Sequence, residues 1–225
     1  IIMPTRNAHH YLVDLLPLMM QQDYDGNYEL LVVDSTSTDG TPELLKEYGA
    51  RVVSIPHTSF SHGYARNLGV QHATTPLICF FVADAKLMNT HWLTDMVAMM
   101  DDPEIGAAHI RQLPREGAGP FERFFCDEMY PETVIRSSWQ PGEKMSMDKT
   151  FFSNVCSITR RELIARYPFP EDVIMSEDQA FARDLLKAGY DVLYNGELAV
   201  VHSHDYDLWT NFRRNFDSAY SLKFI

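Results

Sequence analysis

The chain lacks the marks of several large protein classes. Its 225 residues include only three cysteines, Cys79, Cys126 and Cys156. Their odd number and wide spacing argue against a disulfide framework and a zinc cluster, and reduced thiols in a cytosolic protein are expected. No apolar run is long enough to span a bilayer, and no signal peptide is seen. Basic residues are scarce, with 19 Lys and Arg against 31 Asp and Glu and a formal net charge of −12. That balance argues against nucleic-acid binding, which needs a basic face, but a few local Arg and His can still hold a small phosphorylated ligand. The glycines form no G-x-G-x-x-G after the first strand, no G-x-x-x-x-G-K-[ST] and no G-x-S-x-G. These absences argue against a dinucleotide dehydrogenase, a P-loop NTPase and a serine-hydrolase elbow. Repeats, low-complexity tracts and linkers are also missing, so a single domain over residues 1–225 is expected. The chain opens at Ile1 inside a strand-like run and closes at Ile225 in a mixed apolar and basic helix, so both ends are expected to be trimmed relative to the gene product.

What remains is ordinary globular material, 45% hydrophobic and 22% charged, enough for one α/β core. Leu77-Ile78-Cys79-Phe80-Phe81-Val82 runs without a polar break and reads as a strand buried on both faces, with Asp84 at its end. Strands are expected at residues 1–3, 29–33, 51–55, 77–85, 105–110 and 151–159, and two more at 190–194 and 198–201. Helices are expected at 8–22, 41–49, 62–72, 89–100, 121–130, 176–188 and 208–216. The alternation β-α-β-α-β-α-β with short loops is the pattern of a mostly parallel, Rossmann-like sheet covered by helices on both faces. The polar stretch 131–150 reads as a mobile segment, either a plain surface loop or an acceptor-side lid.

Ligands of open α/β sheets bind at the carboxyl ends of strands. Asp34 and Asp84 fall there, His202 follows the last strand, and Glu177-Asp178 opens a helix. Each has a local alternative: Asp34 nucleates the following turn, Asp84 caps one, Glu177 and Asp178 oppose a helix dipole, and His202 is a core imidazole. Together they fit one design. A divalent cation that neutralises a diphosphate wants carboxylate oxygen and tolerates imidazole when it is manganese-like; Asp84 and His202 supply that pair. Asp178 stands off as a base for an attacking hydroxyl. Arg6 and His62-Gly63-Tyr64-Ala65-Arg66-Asn67 supply cationic groups, with Gly63 allowing close approach of an anion at a helix start.

Pro4-Thr5-Arg6-Asn7, Val32-Val33-Asp34-Ser35-Thr36-Ser37-Thr38-Asp39-Gly40-Thr41 and Ala65-Arg66-Asn67-Leu68-Gly69, in that order, resemble the front half of family-2 glycosyltransferases. His62-Gly63, Arg111-Gln112-Leu113-Pro114-Arg115, Phe152-Ser153-Asn154, the run from Phe169 to Asp178 and Val201-His202-Ser203-His204 resemble bacterial rhamnosyltransferases. The resemblance covers nearly the whole chain. It implies a GT-A fold, with a nucleotide-sugar-binding half at 1–110 and an acceptor and catalytic half at 111–225. It implies an inverting transfer, commonly of L-rhamnose from dTDP-L-rhamnose, to a glycan or lipid-linked acceptor in cell-surface polysaccharide synthesis. Pro4, Thr5, Arg6 and Asp34 would line the base and ribose, Arg66 the base or diphosphate, and Asp84 the ribose–metal end. Asp178, in the pair with Glu177, would be the general base, and His202 would complete the site for Mg²⁺ or Mn²⁺. The family's Asp-x-Asp is here Ala83-Asp84-Ala85, so a two-carboxylate metal clamp is missing. A cytoplasmic setting is expected, with peripheral contact at the inner membrane face through the terminal helix bearing Phe212, Arg213, Arg214 and Phe216. A nucleotide-sugar-forming nucleotidyltransferase and a non-catalytic nucleotide- or glycan-binding module stay open beside the transferase. The acceptor, the linkage and the oligomeric state are not fixed by the residues.

Overall fold

The alternation of apolar side chains within the central strands sends one set to either face, and both faces are covered there. In the computed structural model, which describes residues 1–204 and 206–222, the chain forms β1 (Ile2–Thr5), α1 (His9–Met19), β2 (Leu31–Asp34), α2 (Thr41–Glu47), β3 (Arg51–Ser54), a single 3₁₀ turn (His57–Ser59), α3 (His62–His72), β4 (Leu77–Phe81) and α4 (Trp92–Ala98). Then come β5 (Ile105–Leu113), α5 (Pro120–Met129), β6 (Val134–Ser137), α6 (Met147–Thr150), β7 (Cys156–Arg160), α7 (Arg161–Arg166), α8 (Glu177–Lys187), β8 (Asp191–Val201) and α9 (Leu208–Leu222). The expected helix to Ile225 ends, for its last three residues, outside the described ones.

All eight strands join one sheet in the order β3-β2-β1-β4-β7-β5-β8-β6. Met3, Cys79 and Phe81 pack with Leu12 and Leu16 of α1 and Trp92 and Met96 of α4. Their strand neighbours Ile2, Ile78 and Phe80 point the other way, onto Val70 of α3, Leu163 of α7 and Phe181 and Leu185 of α8. This two-residue period with both faces buried is why the strands read as continuous apolar runs.

The first four strands are parallel, as expected. The sheet then turns mixed: β7 runs antiparallel between β4 and β5, while β5 and β8 are parallel to each other. The two strands expected at 190–194 and 198–201 are one strand with an irregularity, since Ile110 faces Asn195 and Arg111 faces Ala199. Gly196 sits in that bulge, where an added Cβ would lie 2.2 Å from the Pro131 carbonyl oxygen. The stretch 131–150 is not the plain mobile segment expected. It holds β6, antiparallel to β8, and α6. Arg136 of β6 pins the edge through Asp102, Glu104 and Asp191. A four-residue edge strand of mixed polarity has too little periodicity to be read locally.

Candidate active site

β1 sits between β2 and β4, where the strand order reverses, the kind of crevice where α/β sheets bind ligands. A cavity of about 380 Å³ opens there. Pro4 and Thr5 line it from β1, Arg6 from the turn just after it, Ser35 from the loop after β2, and Val82, Ala83 and Asp84 from the loop after β4. Tyr11, His57, Phe60, His62 and Arg66 close it from the helices and the 3₁₀ turn. Thr5 Oγ1, Ser35 Oγ and Arg66 Nε are buried without a hydrogen-bond partner among the described residues. Buried polar atoms are nearly always satisfied, so a wall carrying three such atoms is one that a polar ligand would complete.

The loops after β1 and β2 are stitched to each other. Asn7 N donates to Ser37 Oγ, Thr38 N to Asn7 Oδ1, Ala8 N to Thr41 Oγ1 and His9 N to Asp39 Oδ2. Asp34 belongs to this stitching. Its carboxylate accepts from Ser37 N at 3.0 Å and Ser37 Oγ at 2.5 Å, it is 2% exposed, and it is not among the side chains lining the cavity. The turn-forming alternative describes its contacts, and Ser35 beside it lines the cavity. Arg6 does line the cavity, donating through Nη1 to His57 Nε2 at 2.7 Å.

On the far side, the residues of Arg66-Asn67 hold the segment leading to α8. Asn67 Nδ2 donates to the Phe169 carbonyl and to Glu171 Oε1, both at 2.9 Å, and Phe169 N donates back to Asn67 Oδ1. Arg66 Nη1 donates to Glu177 Oε1 at 2.5 Å, with both residues buried. What approaches Gly63 is likewise protein: an added Cβ would stand 2.1 Å from the Pro170 carbonyl oxygen. Gly63 thus serves backbone packing rather than the anion contact expected of it. Ser176, just before α8, takes φ +67, a conformation rarely held by a side-chain-bearing residue. Asp178 follows, accepting from Gln179 N at 2.9 Å and Asn154 N at 3.2 Å. Burial, then the Glu177 charge, raise its carboxyl to about 7, against the lowering pull of Arg66.

The third cluster joins Asp84 to the end of β8. Asp84 Oδ2 lies 3.7 Å from His202 Nε2 and 3.7 Å from His204 Nδ1. One ligand atom from each of the three residues falls within 4.8 Å of the others. Burial pushes the Asp84 carboxyl up, and protons on the neighbouring His202 and His204 rings would pull it down to about 2. Burial, then the neighbouring His202, push His204 down to about 4, leaving the neutral ring that ligates metals. A carboxylate with two imidazoles suits a manganese-like divalent cation. His204 is the member sequence reasoning did not assign. The signal was available: in extended chain, residues two apart face the same way. His202 and Asp178 are not among the cavity-lining side chains. Asp84 is the residue shared between the cavity and the imidazole cluster.

The mixed α/β sheet with a crevice at the tip of β1 is the architecture that the chain shares with solved GT-A glycosyltransferases. The chain belongs to glycosyl transferase family 2, whose family model matches residues 1–167. It is 33% identical over 221 residues to the O-antigen chain rhamnosyltransferase RfbN of Salmonella typhimurium and 30% identical over 221 residues to WbaN of Salmonella anatum, covering 97% of this chain and 70% of each relative. Among solved structures, the mannosyltransferase PcManGT from Pyrobaculum calidifontis, in complex with GDP-Man and Mn²⁺, superposes with a TM-score of 0.69 at 23% identity, over 94% of this chain and 58% of that one. S. aureus TarS 1-349 in complex with UDP gives 0.69 at 24% identity, over 88% of this chain and 58% of that one. The chain thus spans little more than half of those two solved chains. Among the described residues no helix is long and apolar enough to cross a membrane.

Proposed function

We propose that this domain moves a sugar, L-rhamnose from dTDP-L-rhamnose, onto a glycan or lipid-linked acceptor in cell-surface polysaccharide synthesis, with inversion at the anomeric carbon. The observation that carries the reading is the cavity at the strand tips. Its wall holds the orphaned polar atoms of Thr5, Ser35 and Arg66, and its rim carries Asp84. The similarity to RfbN and WbaN supports the choice of rhamnose.

In this reading Pro4, Thr5, Arg6 and Ser35 bind the nucleoside end of the donor. Asp178 takes the proton of the acceptor hydroxyl as its oxygen attacks the anomeric carbon. The bond from that carbon to the diphosphate oxygen breaks, and its electron pair leaves with the nucleoside diphosphate. A carboxyl raised to about 7 is well matched to such a proton transfer near neutral pH. Glu177, paired with Arg66, acts as the fixed neighbour that helps hold that value rather than as a second base. A divalent cation, held by Asp84, His202 and His204, would supply positive charge against the leaving diphosphate. The three unpaired cysteines suit a cytoplasmic setting. The exposed Trp209, Phe212 and Phe216 of α9, flanked by Arg213 and Arg214, suit contact with the inner membrane face.

The test offers dTDP-, UDP- and GDP-sugars to the protein with and without Mn²⁺ and measures nucleoside diphosphate release. Release from dTDP-L-rhamnose above the other donors is expected. Pyrophosphate chemistry would instead indicate a nucleotidyltransferase, and thermal stabilisation by nucleotides without turnover, with acceptor supplied, a binding module.

A further inference from the structure

The end of β5 and the two residues after it, Arg111-Gln112-Leu113-Pro114-Arg115, have no part in the chemistry above, yet three of them reach the Asp84–His202–His204 cluster, Gln112 and Leu113 at His202 and Arg115 at Asp84. β5 runs parallel to β8 and ends level with it, Leu113 facing Val201. His202 N donates to the Leu113 carbonyl at 2.9 Å. Its ring folds back so that Nδ1 lies 2.8 Å from Gln112 Oε1. Gln112 is itself buried, and its amide nitrogen is spent on two other groups, Tyr130 Oη at 2.6 Å and Ser153 Oγ at 2.9 Å. The oxygen facing His202 can only accept.

We infer that Gln112 is a positioning residue that fixes the tautomer and orientation of His202, leaving Nε2 bare and aimed at the gap in front of Asp84. The inference rests on reading Asp84, His202 and His204 as the cation-holding group. A neutral imidazole carries one proton; when Nδ1–H is given to an acceptor, Nε2 is left with its lone pair. That nitrogen faces Asp84 Oδ2 at 3.7 Å, too far for a hydrogen bond and with electron density on both sides. A cation between them would resolve the opposition. Arg115 braces the other arm. Its Nη2 donates to the Asp84 carbonyl oxygen, its backbone N to Ser203 Oγ, and its guanidinium lies 5.3 Å over the ring of Tyr11 in the cavity wall.

The direct test is ¹⁵N NMR of the imidazole nitrogens in the wild-type protein at pH 8, where His202 should show a protonated Nδ1 and a bare Nε2. A protonated Nε2 would overturn the inference without any variant being made. The second arm measures Mn²⁺ binding by EPR with dTDP present. Gln112→Met should weaken binding by about 10- to 100-fold, the usual cost of losing an outer-shell partner. Gln112→Glu, which keeps an acceptor oxygen opposite Nδ1, should restore most of it. A Gln112→Met protein that folds and binds Mn²⁺ like wild type would also overturn the inference. Wild-type protein that takes up no Mn²⁺ would overturn the cation-site reading instead, and the tautomer still decides the role of Gln112.

Discussion

Arg66 and Glu177 lie 111 positions apart in the chain, and in the fold Arg66 Nη1 reaches Glu177 Oε1 at 2.5 Å. The pair ties α3 to α8, and Glu177 is the immediate neighbour of Asp178. Removing one partner of a buried pair leaves the other charge unsatisfied, which costs about 3–5 kcal/mol. Glu177→Ala is expected to lose stability of that order in urea unfolding. Glu177→Gln keeps an acceptor for Arg66 and should lose much less. Because the Glu177 charge raises the Asp178 carboxyl and Arg66 lowers it, the Gln variant should also shift the acid limb of the rate profile to lower pH.

Asp178 itself sets the second expectation. As a base it must be ionised, so turnover should rise with pH through about 7 and fall away on the acid side. Asp178→Asn should cut kcat by about 10²–10⁴ and abolish that limb, while donor binding measured by thermal shift persists. Normal turnover in this variant would remove Asp178 from the role.

The same carboxyl links stability to pH. Its folded value lies above its unfolded one, so the native state binds the proton more tightly. Its contribution is complete below the unfolded value, near about 3.9, and is lost as pH climbs to about 7. The Tm difference between Asp178→Asn and wild type should therefore move in favour of the variant from pH 5 to pH 8. A constant difference would contradict the raised value.

His204 was added to the metal group by its geometry. Its ligand atom lies as close to Asp84 as that of His202. His204→Ala and Asp84→Ala are each expected to weaken Mn²⁺ binding by at least about tenfold, since even outer-shell losses do so. Retention of wild-type affinity in His204→Ala would return the site to Asp84 and His202 alone.

Gly63 tests the packing of the base-bearing segment. Gly63→Ala would drive a methyl into the Pro170 carbonyl at 2.1 Å, and overpacking of this kind costs about 1–3 kcal/mol. Because Pro170 belongs to the stretch that Asn67 anchors ahead of Asp178, kcat should fall together with Tm. Falling stability with unchanged kcat would show that the strain does not reach α8.

The apolar runs of β1, β2 and β4 and the helical spacing of Leu12, Leu15, Leu16 and Met19 were plain in the sequence, because burial on both faces and one-face packing leave local periodicities. The strand-tip placement of Asp84 followed from the same reading. For Asp34 the sequence offers both a turn and a ligand contact, and the structure shows the turn, through its contacts to Ser37. Edge strand β6 was missed because four residues of mixed polarity carry almost no period. Gln112 stood within a recognisable stretch, but its partner is His202, 90 positions away, and a hydrogen bond at that separation leaves no local pattern.

By itself the sequence determined the order of strands and helices from β1 to α5, the buried character of the central strands and the residue types at their carboxyl edge. These follow from hydrophobic spacing and turn chemistry, which act between near neighbours. Only the tertiary structure decided that β7 enters antiparallel beside β4, that Glu177 faces Arg66 while Asp178 does not, and that His204 joins Asp84. Such pairings are chosen by shape and charge between segments distant in the chain, so they exist only once the sheet has closed around them.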